Sequence, residues 1–292
     1  MRDRSLDEFE SIFEQASIPV LDIDEVALDR VGVVLLGGSL DPSAGSLADY
    51  LKKRFASAVT VQLAHGVDAG AVGEHANACG FELAAEPFAD TADLVRRVTD
   101  SPTELVLVTE PPDEERGAAR IDLETLVEET TPPILIVREP IQDPSTVFRS
   151  VLHSLSGNFR QTQNFTHSFT LVADEGELLL FHVISEHEID DVRATLRVSE
   201  EVAGRAGEQL LAKLTHQGER YLKGVVAASR TEPFAVRYRL TVGEVVSTVQ
   251  KELQGGDYTL LVVGTHHHGR SRVSAADYRL MHEVHTVPVL AL

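Results

Sequence analysis

Thr259-Leu260-Leu261-Val262-Val263-Gly264, followed by His285-Thr286-Val287-Pro288-Val289-Leu290, closes the chain, and the same arrangement closes its first half. There Glu104-Leu105-Val106-Leu107-Val108-Thr109 is followed by Thr131-Pro132-Pro133-Ile134-Leu135-Ile136-Val137. Leu105 precedes Pro133 by 28 residues, and Leu260 precedes Pro288 by 28. Two apolar strand pairs at equal separation, each with a proline opening its second member, imply one fold used twice. The 292-residue length agrees, being long for one average domain and comfortable for two.

Working outward, strand and helix signals alternate. In the first copy the strands are predicted at Val31–Leu36, Val59–Ala64, Phe81–Ala85, Leu105–Val108 and Ile134–Val137. Helical spacing joins them over Leu47–Phe55, Gly70–Ala78 (with Gly80 as its C-terminal cap), Thr91–Val98 and Leu123–Val127. In the second copy strands are predicted at Val151–Leu155, Leu178–Ile184, Val236–Leu240, Leu260–Val263 and Val289–Ala291. Its helices are predicted over Asn164–Val172, Ala194–Leu214 (ending near Gly218), Val242–Leu253 and Ala276–Val284.

Apolar runs without strict alternation mark strands covered on both faces. The expected fold is α/β, with two tandem doubly wound parallel five-stranded sheets packed as a pseudo-dimer through Ile134–Val137 and Val289–Ala291. Ser5-Leu6-Asp7-Glu8 has the form of a capping box opening a short helix to Ala16, so residues 1–28 read as a helical arm. The two domains are then 29–140 and 145–292, joined through a linker with two prolines, Glu139 to Pro144.

Composition excludes several function classes. With 46 acidic against 26 basic residues the formal charge is −20, which repels nucleic acid and anionic membranes. The one cysteine, Cys79, excludes a disulfide framework and reads as a small buried side chain on a helix. No apolar run approaches the ~20 residues of a membrane span, and Met1-Arg2-Asp3-Arg4-Ser5 lacks a secretory pattern, so a cytoplasmic protein is expected.

The pieces together resemble the universal stress protein family in its tandem two-domain form, whose sheets are of the adenine nucleotide alpha hydrolase type. The matching pieces in the second copy are Leu178-Leu179-Leu180-Phe181-His182-Val183, Thr241-Val242-Gly243-Glu244-Val245-Val246, Leu261-Val262-Val263-Gly264-Thr265 and Val287-Pro288-Val289-Leu290. In the first copy they are Gly38-Ser39 and Pro133-Ile134-Leu135-Ile136-Val137. The resemblance implies ligand loops after the first and fourth strands of each copy. Nucleotide-binding members carry an Asp after the first strand. After the fourth they carry Gly, two residues, Gly, nine residues, then Gly-Ser or Gly-Thr, which cradle phosphate with backbone N–H groups.

This chain departs from that pattern. The Asp position falls on Gly37 in the first copy and on Ser156 in the second. Gly264 is kept, but the next glycine position is His267, Gly269 comes late, and the Gly-Ser pair falls on Ala275-Ala276. The first copy reads Thr109-Glu110-Pro111-Pro112-Asp113-Glu114-Glu115, where prolines remove donors and carboxylates repel a triphosphate.

The richest remaining stretch runs from Thr265 to Arg272. One reading is a nucleotide or other anion site built from Gly264, Thr265, His267, Gly269, Arg270, Ser271, Arg272 and Ser274, with the arginines on phosphate and Ser271 or Ser274 capping the next helix. A second folds His282 and His285 back onto the triplet His266 to His268 as a metal site, although adjacent histidines do not readily face one ion. The third is a solvated polar loop. Elsewhere the readings are plain: His182 as a satisfied core histidine, His153 and His167 near the same strand end, and Gly37-Gly38-Ser39 as a tight turn.

No nucleophile stands at credible spacing from a base. The expectation is therefore a non-enzymatic stress-response protein, without cofactor, acting through a protein partner or small ligand, with homodimerisation compatible. The rival is an ATP-binding regulator, or slow ATPase, using the second copy. A third reading is a subunit acting in trans on an ion transporter.

Overall fold

The computed structural model describes residues 26–36, 42–110, 121–155, 165–195, 200–264 and 274–292. The predicted N-terminal helix, Ser5 to Ala16, lies outside them. In the first half β1 (Arg30–Leu35), α1 (Pro42–Phe55), β2 (Ala58–Leu63), α2 (Ala69–Cys79), β3 (Glu82–Leu83), α3 (Thr91–Asp100), β4 (Leu105–Thr109), α4 (Leu123–Glu129) and β5 (Ile134–Val137) follow in turn. A 3-10 turn, Pro144–Thr146, leads to the second half. It contains β6 (Ser150–Leu155), α5 (Thr166–Leu171), β7 (Glu177–Ser185), α6 (Glu186–Thr195), α7 (Glu200–Ala228), β8 (Ala235–Gly243), α8 (Val245–Gly255), β9 (Leu260–Val263), α9 (Ala275–Glu283) and β10 (Val289–Ala291).

The strand order is β3-β2-β1-β4-β5-β10-β9-β6-β7-β8. Each half is therefore a parallel sheet in the order 3-2-1-4-5. The antiparallel pair β5–β10 joins them into one ten-stranded sheet, with Leu290 opposite Leu135 and Ala291 opposite Ile134. The edges predicted to meet are the edges that meet. Two apolar cores, one on each face, run through both halves. Val33, Leu135, Leu180 and Leu290 face α1, α2, α5 and α7. Val34, Ile136, Leu179 and Val289 face α3, α4, α8 and α9. The seam thus buries apolar surface as continuously as either half does.

Polar contacts also cross the seam. Arg54, in the last turn of α1, donates to the carbonyls of Leu171 (2.7 Å) and Val172 (2.6 Å) at the end of α5. A cation there offsets the negative end of the helix dipole. Tyr50 stacks on Phe148 at 6.0 Å. Arg138, just past β5, pairs with Glu110 (2.6 Å) and donates to the carbonyl of Val284 (3.1 Å).

Local chemistry explains where elements stop. Gly80 ends α2 with φ +65°, a conformation glycine adopts without strain, and its N–H caps Ala76 and Asn77. Cys79 at this end is half-buried rather than buried, and its carbonyl accepts from Lys52 Nζ (2.8 Å). Several predicted elements differ, among them the helix predicted from Leu47, which starts at Pro42. The helix predicted at Ala194–Leu214 is two helices, and α7 continues past Gly218 to Ala228. A mid-helix glycine costs about 1 kcal/mol. Burial of Tyr221, Leu222 and Val225 beyond it outweighs that. The helix predicted from Val242 starts at Val245, because β8 pairs with β7 as far as Gly243. The third strand is only Glu82–Leu83 where Phe81–Ala85 was predicted.

Candidate functional site

In each half the strand order reverses between the first and fourth strands, β1 and β4 or β6 and β9. Open parallel sheets place ligands beyond the carboxyl ends of strands at such a point. The loop between β9 and α9 holds the predicted site. Gly264, just past β9, and Ser274, just before α9, are its described ends. Thr265, His267, Gly269, Arg270, Ser271 and Arg272 lie outside the described residues, as do Gly37, Gly38, Ser39, Ser156 and the acidic run Asp113 to Glu115.

Ser274 is the N-cap of α9, as the second of the two capping alternatives required. Its Oγ accepts from the Asp277 N–H (3.0 Å) and donates to Asp277 Oδ2 (2.6 Å). Asp277 is completely buried. A carboxylate in the first turn of a helix sits against the positive end of its dipole, where a bound phosphate would otherwise be stabilised. The serine hydroxyl that would cap an anion is already committed to it.

The first half also places a carboxylate at a helix start. Asp122 is the N-cap of α4 and accepts from the N–H groups of Glu124 (3.1 Å) and Thr125 (3.4 Å). The Thr125 hydroxyl donates to its other oxygen (2.7 Å). That hydroxyl, then the helix N–H groups, hold the Asp122 carboxyl below the usual carboxylate range. Glu110 leaves β4 already paired with Arg138, both side chains almost fully enclosed (13% and 7% exposed).

Of the predicted metal set, His266, His267 and His268 lie outside the described residues. His282 lies in the last turn of α9, its ring tilted at 53° against Tyr278 with centroids 4.4 Å apart, and His285 follows the helix. Eight residues of helix separate His282 from Ser274, a rise of about 12 Å toward the opposite edge of the sheet. Among the described residues no three His, Cys, Asp or Glu side chains are placed to hold a metal ion.

The second half also buries two imidazoles under its carboxyl edge. His153 Nδ1 and Ser168 Oγ share a hydrogen bond (2.9 Å), and the His153 ring meets Phe165 edge-on at 5.6 Å. Burial pushes the His153 imidazole down to about 3. His182 Nδ1 donates to the carbonyl of Leu155 (3.0 Å), as expected of a satisfied core histidine, and burial pushes it down to about 4. Both are neutral at neutral pH.

Sequence reading missed Asp277 and the His153–Ser168 pair. The signal for the former was present as Ser274-Ala275-Ala276-Asp277, a serine with a carboxylate three residues on. Among the described residues no helix is long and apolar enough to cross a membrane.

No protein-family model matches the chain, and no curated protein matches its sequence. Solved structures do match in fold. One is a Pseudomonas aeruginosa protein of unknown function, at TM-score 0.60 and 12% identity, covering 91% of this chain and 92% of that one. Another is a universal stress protein from Archaeoglobus fulgidus, at TM-score 0.53 and 16% identity, covering 89% of this chain and 97% of that one. With both halves aligned almost end to end, the chain has the tandem α/β fold of the universal stress proteins.

Proposed function

We infer that the protein is a tandem universal stress protein that acts in a stress response by binding a protein partner or small ligand, without catalysis and without the ATP cradle usual for its fold. One observation carries the reading. At both helix starts that would receive phosphate, the chain supplies its own carboxylate, Asp122 on α4 and Asp277 on α9. Repulsion from a carboxylate at hydrogen-bonding range opposes a triphosphate, most strongly at the fully buried Asp277. The overall charge of −20 acts in the same direction. A location in the cytoplasm fits the acidic, cysteine-poor composition.

Mass spectrometry of the natively purified protein tests this directly, with no equimolar nucleotide expected. Added Mg-ATP is expected to leave the melting temperature unchanged. The rival reading, a nucleotide regulator using the second half, requires stabilisation of about 2.7 kcal/mol at a hundredfold excess over Kd. It also requires that gain to vanish in Arg270→Ala.

A further inference from the structure

The ten-stranded sheet ends in β3 on one side and β8 on the other. An edge strand exposes a row of N–H and C=O groups, which proteins ordinarily blunt by shortening the strand, bulging it, or placing proline or charge on it. β3 has two residues and is blunted by length. β8 runs for nine, Ala235–Gly243, in unbroken register with β7 and without proline. The Ala235 N–H donates to the Gly176 carbonyl (2.9 Å), on the β7 side. Backbone direction alternates along a strand, so Arg237, Arg239 and Thr241 also face β7. Val236, Tyr238, Leu240 and Val242 therefore turn their N–H and C=O groups to the open side, where β8 has no neighbouring strand among the described residues.

The side chains decide what the edge accepts. On one face Val236, Tyr238 and Leu240 lie half-buried against the core. On the other, Arg237 pairs with Glu177 and Arg239 with Glu252. The guanidinium groups are 66% and 57% exposed and their carboxylate partners 33% and 15%, so the cations form the outer surface. β8 has no acidic residue, in a chain of net charge −20. Pairing with β8 of a second copy would set the arginines of both copies on one face, and like charges across a strand pair are destabilising. Val242, at the far end of the strand, is one of the two large apolar side chains left exposed among the described residues.

We propose that β8 takes up an extended acidic segment of a protein partner as an added edge strand, pairing its main chain with Val236, Tyr238, Leu240 and Val242. Alternate carboxylates of that segment meet Arg237 and Arg239, and the apolar residues between them lie beside Tyr238 and Leu240. Main-chain hydrogen bonds supply the affinity of such an addition and side-chain alternation its specificity. Exposed ion pairs contribute little, so Arg237 and Arg239 exchange or share their glutamates at small cost. The proposal rests on the partner-binding reading above and gives that partner a surface and a chemistry.

The test uses the full chain and two end-blocked peptides matched in length to β8, one alternating valine with glutamate and one alternating valine with lysine. Binding is followed by NMR through the shifts and solvent exchange of the Val236, Tyr238, Leu240 and Val242 amides. The glutamate peptide is expected to give saturable shifts and to slow exchange at these amides, with the lysine peptide at least about tenfold weaker. Arg237→Glu combined with Arg239→Glu is expected to reverse that preference. Absence of saturable shifts with the glutamate peptide would overturn the proposal, as would equal binding of both peptides by the unaltered protein or shifts confined to residues outside β8. So would protection of these four amides before any peptide is added, which would mean that this chain or a second copy already covers the edge. Nucleotide retained on purification would count against the reading without ATP and leave these outcomes unchanged, so the two failures are distinguishable.

Discussion

The two halves share one strand order but differ in how they fill it. At equivalent registers the first half places Val33 and Leu63, and the second places His153 and His182. The first half's outer strands, β2 and β3, have six and two residues, whereas β7 and β8 have nine each. One helix of 11 residues joins the first pair, while helices of 10 and 29 join the second. Identical topology therefore does not demand identical chemistry. A parallel sheet asks for covered apolar faces, and a histidine satisfies that demand only while it is neutral and hydrogen-bonded.

The largest expected effect tests whether the halves are separate at all. Leu290→Asp places a charge in a fully buried position opposite Leu135. It should cost more than about 4 kcal/mol. Because both cores run across the seam, amide exchange in β1 and β6 should accelerate together during urea unfolding. Acceleration confined to β6 would show that the halves unfold as independent units.

Acid should separate the halves more selectively. The folded pKa values of about 3 for His153 and about 4 for His182 lie below the ordinary 6.5. The neutral-histidine contribution is thus fully present above pH 6.5 and is lost as pH falls toward 4 and then 3. At pH 4 the loss from His153 alone is about 3 kcal/mol. His153→Val restores the first half's choice. At pH 7 it should be less stable than wild type, since Ser168 Oγ loses its buried partner. Near pH 4 it should be the more stable of the two. Urea midpoints across that range would reveal the crossover, and parallel curves would refute it.

How much of this was legible in sequence depends on the range of the interaction. Ile134–Val137, Leu260–Val263 and Val289–Ala291 match their predicted bounds, because a short apolar run closed by turn signals specifies a buried strand locally. Gly80 as a cap was equally local. Gly218 misled, since its place inside α7 depends on what Tyr221 and Leu222 pack against. The site was only half legible. Loss of the glycine pattern could be read, but burial of Asp277 and the partnering of His153 with Ser168 depend on tertiary packing.

The smallest effect compares the two carboxylates at the helix starts. Asp122 caps α4 from an exposed position, so asparagine, which caps equally well, should replace it within about 0.5 kcal/mol, while alanine should cost about 1 kcal/mol. That cost is present above the unfolded pKa of an aspartate and fades as pH falls below it, because the folded pKa is the lower one. Asp277 also receives a hydroxyl proton, from Ser274, but differs in being fully buried. Asp277→Asn turns an acceptor into a donor facing the Ser274 hydroxyl unless the amide flips, and so should cost more than Asp122→Asn. Thermal melts of the two asparagine variants decide the matter. Equal losses would mean that the second carboxylate is merely another cap and not the internal anion that fills the phosphate position.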